Sequence, residues 1–198
     1  VGNARVTQTT GANGLLKIGS GTLILGGDVN NNYTGQTSVL EGTLVLDKAD
    51  NVLAIRSTLL VGDGQGVDIV TWNANEQVAT ATVIAHQSGV LNLNGATETL
   101  GALVLGVGPT SSGVVLGGGQ LISSGSTAHV YVAVDSRTTA SSVAARINVD
   151  LDLGTANREF RLADGNGDVE LIVDGVISGP RAINKTGFGT VEFQGSSA

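Results

Sequence analysis

The bases available for nucleophilic chemistry are His86 and His129, so a Ser–His–Asp arrangement would have to be built on one of these two. His86 follows an apolar run and His129 opens one, and neither stands near the Gly-x-Ser-x-Gly turn that exposes a nucleophilic serine. Both read as polar strand-end residues. Paired carboxylates are the next option. Asp150 and Asp152 alternate along one face of Ile147–Leu153, roughly 6 to 7 Å apart on an extended strand, a separation within the range used for glycoside hydrolysis. No sugar-stacking aromatic or basic residue lies beside them in sequence, so a solvated outer face is the simpler reading. Asp164, Asn166 and Asp168 have the alternate spacing of calcium ligands, but Val169 stands where the turn glycine belongs and Gly175 where the bidentate Glu belongs. These three are weak calcium candidates in a tight turn, and no metal or cofactor is assigned. Asp63 to Asp68 resembles a single calcium-binding nonapeptide, a motif that works through tandem copies.

Gly19-x-Gly21 and Gly187-x-Gly189 are not phosphate loops, since no helix and no Lys-Ser/Thr follows either. They read as corners that need a residue without Cβ. Lys17 and Lys185 precede these corners and share strand parity with Leu15 and Ile183. A straight strand would bury their charge at prohibitive cost. The strand is therefore expected to bend there, with each ammonium capping corner carbonyls or meeting an acid. Tyr33 and Trp72, lone aromatics, are expected to pack over the end of a coil instead of offering a ligand platform.

Composition sets the kind of object these residues belong to. Of 198 residues 41% are hydrophobic, which excludes disorder, yet aromatics are only 3% and methionine is absent. Leu, Val and Ile must fill the interior almost unaided, which suits thin stacked β layers. A net charge of -7 with ten unclustered Lys and Arg residues makes nucleic acid a poor partner, and an anionic membrane surface equally so. No apolar run approaches the roughly 20 residues of a membrane span. Cysteine is absent, in keeping with export in an unfolded state through an outer-membrane pore. The first residue is Val, so a processed or excised segment is expected.

The chain also copies itself. Ala182 to Gly195 matches Gly14 to Gly27 without a gap, each position displaced by 168 residues, as 185 minus 17 for the lysines. A single solenoid segment over 1–198 is expected, one long repeat unit plus the start of a second at about 177–198, cut inside a repeat at Ala198.

Leu15-x-Lys17-x-Gly19-x-Gly21-Thr22-Leu23-x-Leu25-x-Gly27, Asn32-Tyr33-Thr34-Gly35-x-Thr37-x-Val39 and Gly42-Thr43-Leu44-x-Leu46 together resemble the autotransporter-associated β-strand repeat. That resemblance implies a right-handed parallel β-helix in a large exported bacterial surface protein. It covers residues 15–46 well and the start of the motif again at 182–195.

The remaining sequence alternates with period two, the signature of strands. Runs at 58–61, 67–72, 79–84, 89–93, 100–105, 113–116, 120–122, 129–134, 147–153, 160–162, 169–173 and 176–177 are expected strands, with Gly-rich corners between them. At an assumed rung of roughly 20 to 25 residues this gives about eight to ten coils. Asp47 to Arg56 is expected as a bulging turn with at most one helical turn, and Arg137 to Arg146 as a loop or short surface helix. The expected function is a non-catalytic structural shaft at the bacterial surface, self-associating end to end or laterally, or adhesive through cell-surface or glycan contact. The alternative is a carbohydrate-binding or carbohydrate-cleaving β-helix.

Overall fold

The computed structural model describes residues 6–7, 9–124, 129–134 and 143–195, and these form a parallel β-solenoid of about seven turns. Coil 1 contributes β1 (Leu15–Lys17) and β2 (Thr22–Gly27), coil 2 contributes β3 (Thr37–Val39) and β4 (Gly42–Lys48), and coil 3 contributes β5 (Leu59–Val61) and β6 (Asp68–Trp72). From coil 4 a third strand is added: β7 (Thr82–Ala85), β8 (Gly89–Asn92) and β9 (Thr97–Leu100), then β10 (Ala102–Val107), β11 (Val114–Leu116) and β12 (Gln120–Ser123). Coil 6 holds β13 (His129–Val134), β14 (Ala145–Ile147) and β15 (Asp150–Asp152), and coil 7 holds β16 (Arg158–Leu162), β17 (Leu171–Val173) and β18 (Ile177–Ser178). β19 (Ile183–Thr186) and β20 (Val191–Phe193) begin one more. No helix forms among the described residues.

Every coil lays its strands on those of the coil before, giving two eight-stranded parallel sheets and a four-stranded one that starts at β9. The interior is a set of aliphatic columns. One runs Leu23, Leu44, Val70, Leu91, Val115, Ile147, Val173 and Phe193. Another runs Leu15, Thr37, Leu59, Val83, Leu103, Val130 and Phe160. Most of these side chains are fully buried. Burying one such aliphatic side chain contributes roughly 1.5–3 kcal/mol, so the core needs no aromatic centre. Phe160 is the largest member of its column and packs 6.2 Å from Phe193, ring to ring.

Two expectations are corrected. There are fewer coils than eight to ten, because the later ones are longer: Leu15 pairs with Thr37, 22 residues on, whereas Val130 pairs with Phe160, 30 residues on. Ile147–Leu153 is not one strand. β14 ends at Ile147 and β15 starts at Asp150 in a different sheet, yet Ile147, Val149, Leu151 and Leu153 are all buried. A corner that turns the chain between faces has kept the alternation, because both faces enclose the same core. The bulge after β4 is a turn with Asn51 at φ 61°, and Arg146 lies in β14; Arg137 to Ser142 lie outside the described residues.

The two motif copies are 168 residues apart in sequence but 170 apart in the stack. Following partners from Leu15 through the first sheet leads to Lys185, and from Thr22 through the second sheet to Glu192. The slip is even, so inward residues stay inward.

Candidate functional site

The described chain concentrates its polar chemistry at corners, where backbone groups leave the ladders and need other partners. Lys17 ends β1 pointing inward and is almost fully buried. Its ammonium donates to the carbonyls of Ile18 (3.2 Å), Gly19 (2.5 Å) and Glu41 (2.8 Å). In return the Glu41 carboxylate accepts the Gly19 N–H at 2.8 Å. Gly19 sits at φ 78°, a conformation that favours glycine. The second copy keeps this corner: Gly187 has φ 76°, and the exposed Lys185 donates to its carbonyl at 2.6 Å. The bend and the carbonyl capping expected of both lysines are present.

The Asn32-Tyr33-Thr34-Gly35 part of the motif serves the same stacking. Tyr33 is 2% exposed and its hydroxyl shares a 2.7 Å bond with Thr37 Oγ1. Burial pushes its phenol pKa up, the Thr37 bond opposing this in part. Gly35 passes so close to coil 1 that a Cβ would stand 2.5 Å from the Asn13 carbonyl carbon and the Gly14 nitrogen.

Further buried ions do comparable work deeper in the stack. The Lys48 ammonium reaches the carbonyls of Gly26 (2.9 Å) and Val29 (2.8 Å), and burial holds its pKa below the usual lysine range, against the pull of Asp28. Arg158, 1% exposed, donates from Nε to the Leu153 carbonyl (2.5 Å) and from a terminal nitrogen to that of Ser123 (2.7 Å). Its burial lowers its pKa, and Asp152 acts in the opposite sense. Glu170 is buried and accepts N–H groups from Gly165 (3.2 Å) and Thr190 (2.6 Å). Sequence reasoning missed Lys48, Arg158 and Glu98, yet each stands two residues from a core aliphatic or aromatic, at Leu46, Phe160 and Leu100. The strand parity that turns Lys17 inward turns all three inward as well.

The expected chemistry-bearing residues are not brought together. His86 is exposed, one residue past β7, while the neighbouring Ser88 hydroxyl donates to Asp68 at 2.6 Å and accepts from the backbone of Asp63 and Gly64. Asp68 is itself 1% exposed, and burial raises its pKa despite the Ser88 bond. It faces inward beneath the Asp63 turn, taking a backbone hydrogen bond from Asp63, while the Asp63 carboxylate accepts the Gln65 N–H at 2.8 Å. His129 opens β13. Asp150 and Asp152 share β15 and serve neighbouring corners, accepting from Val176 N (3.0 Å) and Gly154 N (2.7 Å). Asp164, Asn166 and Asp168 are exposed on the bend between β16 and β17. Trp72 is a core residue, its indole N–H donating to Glu98 at 2.6 Å. No helix of the described residues is long and apolar enough to cross a membrane.

A family model described as the passenger-associated-transport-repeat matches residues 15–46, the span of the Lys17–Glu41 clamp and its Tyr33 coil. The adhesin BmaC autotransporter of Brucella suis biovar 1 (strain 1330) is 34% identical over 102 residues, 51% of this chain and 3% of that protein. The chain thus corresponds to a small fraction of the length of this relative. No solved structure matches the chain. Residues 15–46 match the passenger-associated-transport-repeat, and the chain is similar to autotransporter passenger repeats, which points to the cell surface or the extracellular space.

Proposed function

We propose that this segment is a non-catalytic, load-bearing shaft of an adhesive surface protein, with its coils wound right-handed. The observation that carries the reading is the use made of buried charge. Lys17, Lys48, Arg158 and Glu170 each spend their polar atoms on backbone groups of a neighbouring coil or corner. Such groups resist separation of coils and leave little for substrate chemistry. Adhesion is supported by the relative that bears that name.

Stretching single molecules tethered at both ends tests the shaft. Stepwise rupture at high force, one or two coils per step, is expected, and smooth extension at low force would overturn the load-bearing role. Self-association, end to end or lateral, belongs to the same reading. Light scattering over a concentration series that returns a monomer throughout removes that part. Glycan-array and polysaccharide-degradation assays, with and without calcium, test the carbohydrate alternative and the Asp164, Asn166 and Asp168 bend together. Cleavage would overturn the non-catalytic assignment, and a calcium-dependent signal lost on Asp164→Asn would assign the metal.

A further inference from the structure

Glu98 heads an inward column whose other members are aliphatic: Leu121, Leu151 and Ile177. It is completely buried in β9, the first strand of the third sheet. Below it, in coil 3, the third face has no ladder except the Ile55–Val78 bridge. Between coil 3 and β9 the Glu76 N–H donates to the Thr97 carbonyl at 3.0 Å and the Thr97 N–H to Asn75 Oδ1 at 2.8 Å, and the Glu98 carboxyl group supplies the rest of the link. Its Oε2 accepts the Trp72 indole N–H at 2.6 Å and the Gln77 N–H at 2.8 Å, while Oε1 accepts from Val78 N at 3.2 Å.

The charged groups around it offer no compensating cation. Glu76, half-buried on the same coil 3 loop, turns its own carboxylate onto Thr99 N and Oγ1. Lys48 of coil 2 touches this region through its backbone N–H, which donates to Gln77 Oε1, while its ammonium is held at Gly26 and Val29. Asp50 is bound to the Asn75 N–H at an exposed corner. β12 presents Leu121. Burial is accordingly the largest influence on Glu98 and, with Glu76 adding repulsion, pushes its pKa up to about 8, against the opposing pull of its N–H donors.

We propose that Glu98 is a proton-operated latch between coils 3 and 4, with Oε2 fixed on Trp72 and Gln77 while Oε1, which has only the longer bond to Val78, takes up and releases the proton. Protonated, the carboxyl group sits in the aliphatic column without net charge and the coils stay closed. Ionised, it is a buried anion beside Glu76, and the 73–78 segment of coil 3 loosens from β9. The solenoid then has a joint at the place where it changes from two sheets to three. This regulation goes beyond the shaft role and does not depend on it.

Trp72 is the one tryptophan of the chain, so its emission reads the latch directly. A single-proton transition with a midpoint near 8 is expected in the intact chain, together with faster amide hydrogen exchange at residues 73–78 on its alkaline side after correction for intrinsic rates. Glu98→Gln, of the same shape and without a titrating proton, removes the transition. Glu76→Gln lowers the midpoint by taking away the like charge. Emission that is flat across the neutral range, or a transition that survives Glu98→Gln, overturns the proposal. Should Glu98→Gln fail to fold, carboxyl carbon NMR of Glu98 in the unaltered chain decides the matter, and a midpoint in the ordinary carboxylate range overturns it.

Discussion

Lys17 and Glu41 hold each other through backbone and not through charge: the ammonium donates to the Glu41 carbonyl while the Glu41 carboxylate takes the Gly19 N–H, each at 2.8 Å. The clamp crosses from coil 1 to coil 2. Lys17→Met keeps the aliphatic stem and strands three corner carbonyls, at a cost of about 2–3 kcal/mol by the usual value of charged hydrogen bonds. Lys185→Met removes one exposed bond and changes stability by less than about 0.5 kcal/mol. Urea unfolding of the two variants checks the contrast, and equal losses would contradict it.

Arg158 joins two corners at once, that of Leu153 and that of Ser123. A lysine cannot present the same rigid fork. Arg158→Lys is expected to lower stability by about 1–2 kcal/mol, and Arg158→Met by roughly 3 kcal/mol because the carbonyls lose every donor from this side chain. Thermal unfolding followed by circular dichroism measures both.

Motif glycines divide by what a methyl group would meet. Gly35→Ala forces a Cβ against the backbone of Asn13 and Gly14, and is expected to destabilise by about 2–3 kcal/mol, as overpacking does. At Gly21 nothing lies within 4 Å and φ is not positive. Gly21→Ala is therefore neutral or stabilising by up to about 1 kcal/mol through the unfolded chain. Differential scanning calorimetry of the pair tests this.

The pH dependence of stability follows from Glu98. Its folded pKa, about 8, lies above the ordinary value of 4.5, so the folded chain holds a proton that the unfolded chain has lost. Its contribution to stability is complete below the unfolded value and is lost as pH rises through the folded one, a change on the order of 5 kcal/mol. The difference in unfolding free energy between the native chain and Glu98→Gln should follow that course across the window from 4.5 to about 8. A difference independent of pH would refute the assignment.

Strand positions and the inward face were legible because one physical rule, alternation around a shared core, governs nearly every residue. The rule was even strong enough to hide a corner inside Ile147–Leu153, where the alternation persists through Asn148 and Val149 as the chain changes sheets. Coil number was less legible, since loop lengths between Leu103, Val130 and Phe160 depend on what the loops do and not on the core. The inward polar residues were partly legible. Lys17 announced itself through its repeat partner, whereas Glu98, in Thr97-Glu98-Thr99-Leu100, had parity alone to give it away. That Trp72 and Gln77 would supply its donors depends on how coil 3 closes, which no local pattern specifies.

The even slip between the motif copies bears on how long proteins of this kind would present themselves. Two residues of extended chain span roughly 7 Å, so the corner carrying Gly187 lies about that far around the circumference from the line continued up from Gly19. If later copies slipped by the same amount, the motif would trace a slow spiral over the surface, much as the stripe winds on a barber's pole. Identical surface features on successive copies would then point in different compass directions, and a partner gripping two of them would have to wrap around the shaft.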